Sequence, residues 1–168
     1  MVNPVPLETF YVRYKGVYDF EDVYRLIYRW YRDRKYRYYE KKYKNKPESP
    51  WGYEHELYLE GEKKVDSFYQ YIINIDINVI DSAEIEIDGR KLFDGRIHIA
   101  IYGVINRDYS DKFDRNWFTR WIGNMYYTIT KLEMELLHWD VLHYKMQDLA
   151  EDLKNHLNMY ADVNYYKW

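Results

Sequence analysis

The chain has no cysteine and little glycine or proline. Its 168 residues include no Cys, seven Gly and four Pro. Without cysteine there is no disulfide framework, no thiolate nucleophile and no cysteine-bound metal. Scarce glycine and proline argue against long irregular loops. We therefore expect a chain built mostly of regular strands and helices, in a setting such as the reducing cytoplasm.

Long apolar segments and targeting signals are also missing from the sequence. No apolar run approaches the roughly 18 residues that a membrane-spanning helix needs. The N-terminus, MVNPVPLETF, has neither the basic region nor the apolar region of a secretory signal. The sequence therefore predicts a cytoplasmic protein without a transmembrane segment, and we do not expect peripheral membrane contact.

What the chain has in excess is tyrosine, 22 residues in all, together with a local concentration of positive charge. Residues 24–46 (YRLIYRWYRDRKYRYYEKKYKNK) hold ten Lys or Arg and two acids, a local charge of +8. Since the whole chain carries −3, the remainder carries −11. This basic segment is the first candidate for contact with a partner.

Four interpretations of the basic segment are open. Cations interleaved with tyrosines can contact phosphates and stack on bases, as in proteins that bind RNA or single-stranded DNA, and they also suit an anionic membrane surface. The same pattern arises when the rings are core residues and the charges are solvated, or when the charges dock onto the acidic remainder of the chain. The candidate anion or nucleic-acid contacts are Arg25, Arg29, Arg32, Arg34, Lys35, Arg37, Lys41 and Lys42.

The first 52 residues alternate between strand and helix patterns. Residues 8–17 predict an edge strand that ends at Gly16, and Asp19 is a suitable N-cap for a helix that ends at Asp33. Residues 45–52 include two prolines and predict a loop.

Between that helix and that loop, residues 35–44 predict a strand. Tyr36 and Tyr38 fall on one face, and Tyr39 and Tyr43 on the other.

The middle of the chain has the period of two that is typical of antiparallel strands. Residues 53–60 alternate, and residues 68–80 do so most clearly, with an apolar face and a mostly polar one. Asp88 and Gly89 predict a hairpin turn, and the following strand turns Ile97, Ile99 and Ile101 inward.

The last third of the chain predicts one long helix over residues 115–162. Its apolar residues keep a spacing of four and three throughout, which is typical of a helix that packs against another helix. We expect it either to pack on the sheet or to project and pair with another copy. The candidate self-association residues are Leu136, Trp139, His143, Met146, Leu153 and Leu157.

These elements predict a single α+β domain over residues 1–168. It consists of an antiparallel sheet of about five to six strands with one N-terminal helix (1–114), followed by the long C-terminal helix (115–162). The order is similar to that of the helix-grip fold, in which a sheet wraps a long helix around a ligand cavity.

Three blocks and their order resemble a family of uncharacterised archaeal proteins. The blocks are GVYDFEDVYRLIYRW, GEKKVDSFYQY and GRIHIAIYGVINRDY, followed by the long C-terminal helix. The resemblance implies an archaeal, cytoplasmic setting. It brings no functional residue, because no activity is attached to it.

No pattern of catalytic or metal-binding residues stands out. His138 and His143 are five residues apart, which does not bring two imidazoles together on one helical face, and the acids of the central strands follow a solvated face. We therefore expect no catalytic, cofactor or metal residues and no enzyme.

Three functions follow from these expectations. The leading hypothesis is a non-catalytic binding or assembly protein, which forms a homo-oligomer or joins a protein complex through its C-terminal helix. The alternatives are a helix-grip carrier of a small apolar ligand and a protein that binds nucleic acid through residues 24–46.

Overall fold

The computed structural model describes residues 3–49, 52–66, 68–87, 89–107, 125 and 134–157. Within these ranges the chain forms strands, α-helices and one short π-helical segment. In chain order these are β1 (Asn3–Pro6), β2 (Phe10–Tyr18), α1 (Phe20–Asp33), β3 (Arg37–Ser49), β4 (Gly52–Lys64), β5 (Tyr69–Ile87), β6 (Arg90–Arg107), the π-helical segment (Met134–Trp139) and α2 (Asp140–His156).

The strands form one antiparallel sheet in the order β1–β6–β5–β4–β3, and β2 also pairs with β6. β1 pairs with residues 104–107 of β6, and β2 pairs with residues 93–101. The two N-terminal strands therefore follow one another along the same edge, as expected for an edge strand. The predicted α+β architecture, a sheet with an N-terminal and a C-terminal helix, is confirmed.

One face of the sheet is buried beneath the two helices. The predicted alternation is present on β5 and β6, where every second side chain is buried; these are Tyr69, Tyr71, Ile73, Ile75, Ile77, Val79, Ile97, Ile99, Ile101 and Ile105. The turn between the two strands is where the sequence predicts it, since Ile87 pairs with Arg90. Gly89 there has a φ of +75°, which favours glycine.

Helix α1 begins and ends as predicted. The Asp19 side chain caps it by accepting a hydrogen bond from the Asp22 N–H at 3.1 Å. Because α1 leaves β2 at one edge of the sheet and enters β3 at the opposite edge, it must cross the buried face. Its buried residues are Val23, Ile27, Trp30 and Tyr31.

Tyr31 fixes how closely α1 approaches the sheet. Its hydroxyl donates to the Ile73 carbonyl at 3.0 Å. Its ring fills the space over Gly61, where an added Cβ would come within 2.2 Å of the ring. The absence of a side chain at Gly61 therefore makes room for the helix.

Helix α2 packs on the sheet of its own chain. Its buried residues are Leu142, Met146, Leu149, Ala150 and Leu153. Met146 Sδ would lie only 2.5 Å from a Cβ added at Gly103. Leu142 and Leu149 are buried although they lie outside the predicted four-and-three spacing, because a helix on a sheet buries a wider stripe than a two-helix seam.

The predicted helix over residues 115–162 falls only partly on described residues. The chain is helical from Met134 through His156, with its first turns π-helical, and Met125 is helical and exposed. The remaining residues of the prediction, 115–124, 126–133 and 158–162, lie outside the described ranges. None of the described helices is long and apolar enough to cross a membrane.

The predicted loop at residues 45–52 was wrong. β3 continues to Ser49 and β4 begins at Gly52, and these two residues pair with each other. Residues 50 and 51 of the predicted loop lie outside the described ranges. Pro47 is compatible with this strand because β3 is at the edge of the sheet and pairs only with β4.

A β-bulge at Lys41 changes which tyrosines share a face of β3. Lys41 has no partner in the β3–β4 register, whereas Tyr39 lies opposite Glu60 and Tyr43 lies opposite Leu57. Since Leu57 is in the core, Tyr43 is on the face of the sheet that carries the core. The prediction that Tyr39 and Tyr43 share a face was therefore wrong.

Candidate anion-binding site

Ion pairs occupy part of the basic segment. On α1, Arg25 lies 2.7 Å from a Glu21 carboxylate oxygen and 3.3 Å from one of Asp22, and Arg32 lies 3.0 Å from Asp33. All of these groups are exposed, so each pair contributes little to stability. Their main consequence is that Arg25 and Arg32 have local partners.

Two lysines of β3 pair with acids of β4. Lys41 Nζ lies 2.9 Å from Glu60 and Lys42 Nζ lies 3.0 Å from Glu56. These contacts are of the kind expected if the basic segment docks onto the acidic part of the same chain. Four of the eight candidate contacts are therefore paired with acids of α1 or β4.

The other four candidates, Arg29, Arg34, Lys35 and Arg37, lie around the end of α1. Arg29 donates to the Arg25 carbonyl and Arg37 to the Tyr39 hydroxyl, each at 3.4 Å. The basic side chains of residues 24–46 therefore do not form one continuous strip. The four candidates without an acidic partner on α1 or β4 surround the end of α1.

Three half-buried cations lie close enough there for their charges to interact, and we call Arg34, Lys63 and Lys145 the cationic cluster. Arg34 follows α1, Lys63 is on β4 and Lys145 is on α2. Lys63 Nζ donates to the Arg34 carbonyl at 2.9 Å. The cluster thus joins three elements that are far apart in the sequence.

The end of α1 positions Arg34 beside the core. Lys35 has a φ of +60°, the left-handed conformation that often terminates a helix. The Tyr36 N–H donates to the Tyr31 carbonyl at 2.9 Å. This turn sends Tyr36 into the core and leaves Arg34 half-buried at its border.

The cations of the cluster disfavour one another's charge. Burial lowers the pKa of Lys145, and the nearby positive charges of Lys63 and Arg34 lower it further. Of the three cations in the cluster, only Arg34 has a carboxylate of a described residue within 4.0 Å, that of the exposed Asp148 at 3.9 Å. Positive charge is therefore concentrated here with little compensation.

Aromatic rings lie beneath all three cations. The Arg34 guanidinium is 4.4 Å from the centroid of Trp30, Lys63 Nζ is 5.7 Å from that of Tyr36 and Lys145 Nζ is 5.4 Å from that of Tyr71. These three distances from cation to ring centroid are in the range of cation–π contacts. The rings stabilise the cations without neutralising them, so the cluster keeps its capacity for an anion.

Two tyrosine hydroxyls accompany the cations. Burial raises the pKa of Tyr71 to about 12, and the Asp66 and Tyr69 charges act in the same direction. Its hydroxyl is 2.8 Å from His138 Nδ1. Burial also raises the pKa of Tyr36, whose buried hydroxyl has no hydrogen-bond partner among the described residues. Tyr36 is therefore an unused donor close to the cluster.

A groove between the two helices adjoins the cluster. Its volume is about 390 Å³, and it shares Trp30 and Arg34 with the cluster. The α1 wall adds Leu26, Arg29 and Asp33, and the α2 wall consists of Asp152, Asn155 and His156.

Histidines and carboxylates do not form a metal site within the described ranges, where no group of three metal-ligating side chains lies together. His143 stacks on Trp139 with ring centroids 4.9 Å apart and packs against Phe10 at 5.1 Å. His55 lies among aromatic rings, and burial lowers its pKa. These imidazoles act in packing.

The predicted self-association residues divide by location. Met146, Leu153 and Leu157 belong to the core, so these three side chains stabilise one chain and are not available to contact another copy. Trp139 and His143 are half-buried at the start of α2. The side chain of Leu136 lies outside what the structure describes.

Sequence reasoning named Arg34 but missed Lys63, Lys145, Tyr36 and Tyr71 as parts of one anion site. Tyr71 was expected to line the cavity of a helix-grip carrier, Tyr36 to alternate along a strand, and Lys63 to lie in the link to the long strand. Nothing in their spacing brings them together. The signal is the topology, which places the end of α1 beside β4 and α2.

No protein-family model and no curated protein matches this chain. The archaeal resemblance read from the sequence therefore stays a prediction, and functional inference rests on the geometry of the chain itself.

Proposed function

We propose that the protein is a non-catalytic binding protein that holds a phosphate-like anion at the cationic cluster. The observation that carries the proposal is the half-buried meeting of Arg34, Lys63 and Lys145, where Lys145 has a lowered pKa. A charge that its surroundings disfavour is stabilised when an oxyanion binds beside it. The unpartnered Tyr36 hydroxyl supplies a neutral donor.

The cluster suits a compact anion better than a polyanion. Asp148 lies beside Arg34, and Asp33 and Asp152 line the adjoining groove. These three carboxylates outnumber Arg29, the further cation of the groove wall, and so repel additional negative charge on the ligand. A nucleic-acid strand, whose charges continue along its length, therefore fits this place poorly.

Close packing bears on the apolar-carrier hypothesis. The cavity of such a carrier would lie between sheet and helices, yet Tyr31 covers Gly61 and Met146 covers Gly103 at contact distance. The strand side chains expected to line such a cavity are all buried in the core; these are Tyr69, Tyr71, Ile73, Ile75 and Ile99. These contacts favour a ligand at the helix ends over one beneath the helices.

Thermal unfolding in phosphate tests the proposal. The melting temperature is compared in sodium phosphate and in sodium chloride of equal ionic strength, which removes general screening. At about ten times its dissociation constant, phosphate should stabilise the chain by about 1.4 kcal/mol. For a chain of this size that corresponds to roughly 3–6 °C.

Matched variants locate the effect. Lys63→Met and Lys145→Met together should abolish the phosphate-dependent increase, because two of the three cations are gone. Lys154→Met, an exposed position on α2, should retain it. Equal melting temperatures in the two salts for the wild-type chain would reject the proposal.

A second candidate function is association of two copies through the outward face of α2 and of the π-helical segment before it. Leu137, Val141 and Tyr144 are exposed by 56%, 42% and 64%. Their spacing of four and three residues is the one with which two helices interlock. A second copy of α2 presents the complementary stripe, so this surface takes over the role that the sequence assigned to core residues of the helix.

Light scattering tests the second candidate. Val141→Glu with Tyr144→Glu should leave a folded monomer, whereas Lys154→Glu, with a new acid outside the stripe, should keep the wild-type mass. A double variant with the same mass as the wild-type chain would contradict association through this face.

A further inference from the structure

The groove between α1 and α2 continues outward from the cationic cluster, and this continuity bears on the ligand class. Arg34 belongs to both places, since it lies over Trp30 and also lines the groove. A group bound at the cluster would therefore direct the rest of its molecule along the two helices. A volume of about 390 Å³ lies within the range of small-molecule sites.

We propose that the ligand is a phosphate monoester of a hydroxylated, sugar-like skeleton, with its phosphate at the cationic cluster and its hydroxyl groups in the groove. This inference rests on the proposed anion-binding function and extends it to the second half of the ligand. The phosphate half of the ligand would contact the cations of the cluster, and the hydroxylated half would contact the polar side chains of the groove.

The groove wall is rich in groups that pair with hydroxyls. Asp33 and Asp152 supply carboxylate acceptors, and Asn155 supplies both an acceptor and two donors. A ligand hydroxyl can donate to the carboxylates and accept from the Asn155 amide. Few other neutral groups do both equally well. The wall therefore favours several hydroxyls over an apolar skeleton.

The floor of the groove adds an apolar surface and an unused donor. Leu26 and Trp30 line it, and Trp30 is 3% exposed. The buried Trp30 Nε1–H has no acceptor within the part of the chain that the structure describes. A small shift of the indole toward a ligand oxygen would give this donor a partner, as burial of a polar group ordinarily requires.

The phosphate half is a monoester rather than a diester for two reasons. A terminal phosphate presents three unesterified oxygens to the three cations, whereas a diester presents two. Three carboxylates, those of Asp33, Asp148 and Asp152, also lie at the exit from the cluster, against the further cation Arg29 of the groove wall. A second phosphate there would therefore meet more negative than positive charge. Polyphosphates and internal nucleic-acid phosphates are therefore disfavoured.

Isothermal titration at constant ionic strength separates the two halves of the proposal. The probes are inorganic phosphate, ribose 5-phosphate, free ribose and a single-stranded RNA oligomer, each added to the full chain. Ribose 5-phosphate should bind about tenfold or more tighter than phosphate, the effect of two or three added hydrogen bonds. Free ribose should show no binding.

Variants of the groove residues provide a second test of the same proposal. Asp152→Ala with Asn155→Ala should abolish the preference for ribose 5-phosphate over phosphate and should not weaken phosphate binding. Both side chains are exposed, so the fold should persist. Glu151→Ala with Lys154→Ala, their neighbours on α2, should retain the full preference for the sugar phosphate.

The outcomes distinguish this inference from the function on which it rests. Equal affinities for phosphate and ribose 5-phosphate would overturn the sugar-phosphate inference and leave anion binding in place. RNA that binds tighter than ribose 5-phosphate would also overturn the inference. Failure of every probe to bind would overturn the inference and the proposed function together.

Discussion

The Lys145 ammonium lies over the ring of Tyr71 and close to the charges of Lys63 and Arg34. Burial and these two cations lower its pKa, so charged Lys145 costs the folded chain stability. The cation–π contact offsets only part of that cost. A residue kept charged in such surroundings is better explained by a ligand than by the fold.

Replacing Lys145 should therefore stabilise the ligand-free chain. In chloride at pH 7, Lys145→Met should raise the free energy of unfolding by about 0.5–1 kcal/mol, since the methionine keeps the apolar stem and loses the charge. The destabilisation by Lys145 is complete below its lowered pKa and disappears as the pH rises through that pKa toward 10.5.

Urea unfolding of both chains at several pH values checks this prediction. The difference between variant and wild type should narrow from pH 7 to pH 10. A variant that is less stable than the wild type by the same amount at every pH would show that Lys145 acts through packing alone.

At the scale of elements, α1 is held against the sheet by the contact between Tyr31 and Gly61. The Tyr31 hydroxyl donates to the Ile73 carbonyl, so the ring cannot move away without breaking that bond. This contact sets the height of α1 and hence the position of Arg34 at its end.

Gly61→Ala should destabilise the chain by roughly 1–3 kcal/mol, as overpacking of a filled core does. An added Cβ would come within 2.2 Å of the Tyr31 ring. Denaturant unfolding measures the effect, and Glu86→Ala, exposed on the same sheet, should change stability by no more than about 0.5 kcal/mol.

Combination with Tyr31→Leu shows whether the ring causes the loss. The double variant should be less destabilised than the sum of the two single variants, since residues in contact are not additive. Strict additivity would place the cause of the Gly61→Ala effect elsewhere.

The elements that the sequence predicts best are those with one strong period. On β5 the alternation of isoleucines with polar residues predicts the buried face, and Asp19 predicts where α1 begins. β3 is different, because the bulge at Lys41 reverses the alternation and the pairing with β4 extends the strand through Pro47. Both depend on a partner strand, which local patterns do not contain.

In the molecule as a whole, the candidate site depends on how α1 crosses the sheet. It could therefore be predicted from the sequence only in part. The charge of residues 24–46 identifies Arg34 as a candidate. Lys63 and Lys145 join it only because α1 spans the sheet and α2 packs beside it. The ion pairs of Lys41 and Lys42 equally depend on β4.

Buried tyrosines make the fold as a whole sensitive to alkali. Burial raises the pKa of Tyr31, Tyr36 and Tyr38, and that of Tyr71 to about 12. A raised pKa gives stability that is fully present below the unfolded value of 10 and is lost as the pH rises through the folded value. Stability should therefore fall from pH 10 to 12.

Tyrosinate absorbance and far-ultraviolet circular dichroism, followed together from pH 9 to 13, check this prediction. The exposed tyrosines should ionise first with little change in structure, and the buried ones should ionise with cooperative unfolding. Ionisation of all 22 tyrosines near pH 10 in a chain that remains folded would contradict it.

Anion binding beside Arg34, Lys63 and Lys145 can be tested by an amide NMR titration with phosphate. At constant ionic strength such binding should give saturable shifts that are largest for the amides of Lys35, Tyr36, Lys63 and Lys145. Shifts that do not saturate, or that are largest around Lys41 and Lys42, would contradict it.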